Sequence, residues 1–249
     1  MKVNLTILLA LFWVNAGQAV TVFDNSRQRS IPVEIILPST EQQCSQAKPC
    51  PVAFLSAGYG VSHLDYEFAV RPLAALGYLV VAVGHELPDD PPLSVSGNLY
   101  QSRQENWIRG AETLRFLQRE LPAQYPAYNF NHLLLIGHSN GGDISTWLAN
   151  QDNVSIKALI TLDHRRVPLP KNGNIAILSI RASDFPADDG VLPSENEQQR
   201  DGSCVIKIAS ARHNDMTDAG PSWLKDNIAV IITDFMQRRS CRQQSTPAL

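Results

Sequence analysis

Apolar and polar positions change period several times along this chain, and each change predicts an element. β-Branched residues dominate "VTVFD" and "SIPVEIILP", with the polar "NSRQR" between them, so two strands joined by a turn are expected at the start. "PVAFLS" is a short apolar run that ends in "AGYG". In "YEFAVRPLAALG" the apolar residues Phe68, Leu73 and Leu76 return at helical spacing, and Gly77 supplies a stop signal. "YLVVAVGHE" is apolar at successive positions, the pattern of a strand buried on both faces. Residues 87–101, "LPDDPPLSVSGNLYQ", are proline-rich and irregular; so long a connection is a candidate wall or lid of a site. Helical spacing resumes in "ENWIRGAETLRFLQREL", where Trp107, Ala111, Leu114, Leu117 and Leu121 share one face. "HLLLIG", "IKALITLD", "NIAILSIRAS" and "CVIKIAS" read as strands, "DISTWLAN" and "SWLKDNIAVIITDFMQRR" as helices.

Strands alternating with helices predict an α/β fold with a mostly parallel sheet covered on both faces, and antiparallel strands at its beginning. Ligands of such sheets sit at the carboxyl ends of the strands. That rule nominates Tyr59, His85, Ser139, Asp163, Asp184 and His213.

Composition narrows the partners. The 249 residues are 44% apolar and 18% charged, with a formal charge of −3, which gives no electrostatic reason to expect nucleic acid. The first 19 residues, "MKVNLTILLALFWVNAGQA", combine an early Lys, an apolar run from Leu5 to Val14, and Gly17 and Ala19 at −3 and −1 of a cleavage site. This is the pattern of a secretory leader cleaved after Ala19, leaving residues 20–249 as one domain in the periplasm or outside the cell. The run is too short to span a bilayer and no cysteine follows it, so no stable membrane anchor is expected. In an oxidising compartment the four cysteines suggest disulfides: Cys44 and Cys50 close enough to staple a loop, Cys204 and Cys241 placed to tie down the last helix. No metal-ligand spacing accompanies them, and neither metal nor cofactor is expected.

The chemistry centres on "LLLIGHSNGGDIS". G-H-S-N-G fits G-x-S-x-G and stands between a strand and a helix, the context of a nucleophile elbow that projects Ser139 from a strained turn. A serine hydroxyl needs a base. His213, in "ASARHNDM" between the last strand and the last helix, has the right place in the order Ser, acid, His. Two aspartates follow strands before it. Asp184, three residues past its strand, is favoured as the acid; Asp163, at the end of the strand before, stays open. An oxyanion hole needs two backbone N–H groups. Asn140, after the serine, offers one, and Tyr59 in "AGYG" the other.

On these residues the chain resembles the α/β-hydrolase superfamily, in the branch that holds dienelactone hydrolases, platelet-activating-factor acetylhydrolases and polyester hydrolases. The resemblance rests on "FDNSRQRSIPVEIILP", "LSAGYG", "RPLAALGYLVVAVGHE", "GHSNGG" and "ARHNDM". It implies Ser139 as nucleophile, His213 as base and Tyr59 as an oxyanion donor, although "SAG" stands where many relatives have His or Pro before the glycine. Polyester hydrolases carry the acid at the position of Asp184, the acetylhydrolases at that of Asp163, in a context like "ITLDHRR". No large cap domain is implied, since the two strands that precede these aspartates are close in sequence. The expected pocket walls are therefore the 86–103 and 185–203 loops. The expected function is an exported serine esterase that forms an acyl-enzyme on small-molecule or polymer-end esters. An amidase or peptidase with the same triad, and a binding protein on a retired hydrolase fold, are the alternatives.

Overall fold

The computed structural model of the chain describes residues 17–39, 43–152, 154–171 and 173–238. Eight strands form one sheet: β1 (Gln18–Asp24), β2 (Arg29–Ile36), β3 (Cys50–Ser56), β4 (Leu79–Val83), β5 (Tyr128–His138), β6 (Ile156–Leu162), β7 (Ala176–Arg181) and β8 (Cys204–Lys207). Their order is β1-β2-β4-β3-β5-β6-β7-β8. The β1–β2 and β2–β4 pairs are antiparallel and all the others parallel, as the sequence pattern predicts. Five α-helices accompany the sheet: α1 (Glu67–Ala75), α2 (Leu99–Glu120), α3 (Asn140–Gln151), α4 (Glu195–Asp201) and α5 (Ser222–Arg238).

β3 lies between β4 and β5, so the chain leaves β3 toward one side of the sheet and leaves β5 toward the other. That reversal opens a crevice at the carboxyl ends of β3 and β5. Register brings these strand ends level: Ser56 pairs with Gly137, Gly137 with Thr161, and His138 with Leu162. Each face of the sheet has its own core. Leu73 of α1 and Leu224, Ile228 and Ile232 of α5 cover one; Trp107, Leu114 and Leu117 of α2 and Ile144 and Leu148 of α3 cover the other. Burial on both faces is why β3 through β7 read as continuous apolar runs rather than alternating ones.

The helices differ from the sequence reading in two places. α2 begins at Leu99, not Glu105, because Asn98 caps it: Oδ1 accepts the Gln101 N–H at 3.2 Å. The polar first turns carry no apolar period to read, and they remove part of the expected 86–103 wall. Within 185–203, read as loop, α4 forms from a capping box in which Ser194 Oγ accepts the Glu197 N–H and Glu197 accepts the Ser194 N–H. None of its residues is buried, so a hydrophobic period could not announce it.

Cys44 and Cys50 form a disulfide, and Cys204 is disulfide-bonded as well; Cys241 lies outside the described residues. The predicted leader also falls mostly outside them. Its last two residues, Gln18 and Ala19, pair with Ile35 and Glu34, so cleavage after Ala19 would start β1 at Val20. Among the described residues no helix is long and apolar enough to cross a membrane.

Candidate active site

β5 ends at His138, and the next residue, Ser139, takes φ +52° and ψ −122° before α3 begins at Asn140. A β-carbon normally avoids that region, so the turn is strained and must be held from outside. Two hydrogen bonds hold it: the Ser139 N–H donates to Leu162 O of β6 at 2.9 Å, and Ser139 O accepts the Asp143 N–H at 3.1 Å. The glycines of the motif allow the close approach. A side chain on Gly141 would run into the carbonyls of Ser56 and Ala57, and one on Gly137 into the backbone of Gly141.

Ser139 Oγ lies 2.9 Å from His213 Nε2, and His213 Nδ1 lies 2.6 Å from Asp163 Oδ2. Asp163, and not the favoured Asp184, therefore meets the imidazole. The reason is local: Asp163 follows β6 without a spacer and takes φ +52°, which turns its fully buried side chain back beneath His213. Asp184 holds His213 by another handle, accepting its backbone N–H at 2.8 Å, while the neighbouring Ser183 N–H donates to Ala211 O. Burial acts to raise the Asp163 carboxyl, but the His213 hydrogen bond, the Arg181 charge and the Ala182 N–H together hold it below its ordinary value.

The two expected oxyanion donors stand on the segments next to Ser139. Asn140 opens α3, where first-turn N–H groups have no intrahelical acceptor. Tyr59 follows Gly58 on the loop after β3; among the described residues its N–H meets no backbone carbonyl, and its hydroxyl accepts the Leu93 N–H at 3.1 Å. That loop touches the elbow, for a β-carbon on Gly58 would stand 3.4 Å from Ser139 Cβ.

Two further residues join these parts, and sequence reasoning did not assign them. His138 is buried, and burial together with the neighbouring His213 pushes it down to about 3, so the ring is neutral. Its Nε2 faces His213 O at 3.1 Å; a carbonyl only accepts, so Nε2 carries the proton and Nδ1 is bare. Tyr66 Oη, 2.9 Å from Nδ1, then donates to it while accepting the Gly58 N–H at 2.9 Å. One chain of hydrogen bonds thus runs from Gly58, on the loop after β3, through Tyr66 and His138 to the backbone of His213. The only sequence signal was the place of His138 inside the G-x-S-x-G motif.

Asn140 is braced in turn: its side chain accepts from Trp107 Nε1 at 2.9 Å and donates to Asn106 Oδ1 at 2.8 Å. At the rim, Phe185 meets the His213 ring edge-on at 5.6 Å, and the Arg165 guanidinium covers the other ring at 4.7 Å. Tyr59 and Phe185 are both about two-fifths exposed, at 42% and 43%. Tyr59 belongs to the loop that touches the elbow, and Phe185 packs on the His213 ring.

No family model matches the chain, and no curated protein matches it. Solved structures resemble it over almost their whole length. A lidless α/β serine hydrolase from Xanthomonas campestris is 16% identical with a TM-score of 0.59, covering 94% of this chain and 97% of its own. A ferulic acid esterase from Streptomyces cinnamoneus is 15% identical with a TM-score of 0.62, covering 92% and 91%. A dienelactone hydrolase-like promiscuous phosphotriesterase from metagenomic libraries is 18% identical with a TM-score of 0.59, covering 90% and 98%. At such identities the likeness is one of architecture: the chain has the α/β-hydrolase fold, and among the described residues no large cap domain covers the sheet.

Proposed function

We propose that the protein is an exported serine esterase. The observation that carries this reading is the series Ser139 Oγ, His213 Nε2, His213 Nδ1, Asp163 Oδ2, with separations of 2.9 and 2.6 Å, at the mouth of a fold shared with esterases. His213 takes the Ser139 proton as Oγ bonds to the ester carbonyl carbon, and Asp163 steadies the imidazolium that forms. The Tyr59 and Asn140 N–H groups hold the oxyanion. When the C–O bond to the leaving group breaks, His213 returns the proton to the departing alkoxide. Water repeats the sequence on the acyl-enzyme and frees the acid. The exposed aromatic rings of Tyr59 and Phe185, and the absence of a large cap among the described residues, suit a small ester or the end of a polymer. The leader pattern and the Cys44–Cys50 bridge support export to an oxidising compartment.

Hydrolysis of p-nitrophenyl acetate, butyrate and octanoate by the mature protein tests the reading, with Ser139→Ala beside it and a fluorophosphonate as active-site label. Turnover lost in Ser139→Ala and label confined to Ser139 are the expected results. Folded protein that neither turns over any ester nor takes the label would leave the binding-protein alternative instead.

A further inference from the structure

Asp163 has a second partner that the catalytic series does not need. Arg181, the last residue of β7, places Nη2 2.8 Å from Asp163 Oδ1, the oxygen turned away from His213. Side-chain exposure is 5% for Arg181 and zero for Asp163. The contact is an ion pair and is not aligned as an N–H···O hydrogen bond. Arg181 Nη1 meanwhile donates to His164 O, and the Ala182 N–H reaches Asp163 Oδ1 at 3.0 Å. One guanidinium therefore grips both the carboxylate of Asp163 and the carbonyl of the next residue, His164, beside the point where the chain takes its φ of +52°.

Resting on the serine-hydrolase reading, we propose that Arg181 is a positioning residue of the triad, clamping the far oxygen of Asp163 so that the near oxygen stays charged and aimed at His213 Nδ1. Without Arg181 the buried carboxylate would keep only uncharged partners, the His213 ring and the Ala182 N–H, and would take up a proton more readily, which removes the acceptor of the imidazole N–H. A buried ion pair opposes this, because protonating Asp163 would strand the Arg181 charge. The other charged or titratable groups around His213 do not substitute for it. Asp184 is committed to the His213 backbone N–H, Arg165 lies across Phe185, His138 is neutral, and Asp215 is in the turn of His213 itself.

The test compares pH profiles of kcat and KM for the wild type, Arg181→Lys and Arg181→Met on one p-nitrophenyl ester. Arg181→Met is expected to lower kcat by about tenfold with KM nearly unchanged, and to move the acid limb up by about one pH unit. Arg181→Lys, which keeps the charge, is expected to restore the acid limb. A folded Arg181→Met with an unmoved acid limb, or a loss confined to KM, would overturn the proposal and leave Arg181 a brace of the β6–β7 corner. Should Arg181→Met not fold, carboxyl-carbon NMR of the wild type and of Arg181→Gln replaces it. Asp163 is expected to keep its ionised shift at pH 4 in the wild type, where an ordinary Asp is about half protonated, and to titrate at higher pH in Arg181→Gln; the same titration in both proteins, or a half-protonated wild-type Asp163 at pH 4, overturns the clamp. The NMR arm needs no turnover. Absent turnover and label thus count against the esterase reading, while the titration judges Arg181 separately.

Discussion

At the scale of single residues, the site depends on which carboxylate the imidazole meets. Asp163 accepts from His213 Nδ1 and Asp184 from the His213 backbone N–H, so the same substitution has different consequences. Asp163→Asn keeps the shape but presents the wrong partner to the ring, and kcat should fall by roughly 10³–10⁴-fold. Asp184→Asn keeps an oxygen acceptor for the backbone N–H, so its cost should stay within about tenfold. Steady-state kinetics on both variants, with circular dichroism to show that each is folded, checks the contrast; equal losses would reject it. That Ser139 and His213 meet was legible in the sequence because their signals are local, a glycine-framed serine after a strand and a histidine after the last one. Which carboxylate joins them was not. Both aspartates follow strands, and the choice is made by the positive φ of Asp163 and its burial under the ring, which no spacing encodes.

At the scale of elements, the Tyr66–His138 link joins three strand ends that the chain visits far apart: the loop after β3, the end of β5 and the turn after β8. Tyr66 is 1% exposed, so Tyr66→Phe would leave the Gly58 N–H and His138 Nδ1 without a partner in a dry environment. The expected cost is about 1–3 kcal/mol in urea unfolding, accompanied by a fall in kcat as Gly58 and the adjoining Tyr59 N–H lose their anchor. Unchanged kcat in a destabilised Tyr66→Phe would mean that the link serves stability alone. None of this was legible beforehand, since a tyrosine at the start of α1 and a histidine inside a motif look unrelated until the sheet brings them together. The mostly parallel sheet, its antiparallel start and its cover on both faces were legible, because long apolar runs and helical periods report burial directly; the strand order was not. α4 and the first turns of α2 were hidden for the complementary reason that capping, not burial, starts them.

Across the whole molecule, buried titratable groups tie stability to pH with opposing signs. His85, His138 and His164 are each pushed down to about 3, first by burial. Unfolded histidines titrate near 6.5, so the stability these three lend is complete above that pH and is lost as pH falls toward 3. Asp143 and Glu86 are pushed up to about 6, again first by burial. Their contribution is complete below about 4, where the unfolded carboxyls are also protonated, and is lost as pH rises through 6. Counting these five groups alone, between pH 6 and 4 the unfolded chain holds three histidine protons that the folded one lacks, and the folded chain holds two carboxyl protons that the unfolded one lacks; His63, lowered by burial, and Glu34, raised by burial, act in opposing senses. The surplus of about one proton makes stability fall by only ~1.4 kcal/mol per pH unit. Below pH 4 the carboxyl protons cancel, the surplus becomes about three, and the fall steepens to ~4 kcal/mol per unit. Asp163, held below its ordinary value, adds to the descent. Urea midpoints should thus be level from pH 8 to 6.5, decline gently to pH 4 and collapse beneath it. A stability maximum near pH 5 would mean that the two carboxyls outweigh the three histidines. The same curve sets the window for enzymology: acid limbs that report the triad must lie above about pH 4, since below it loss of activity and loss of fold coincide.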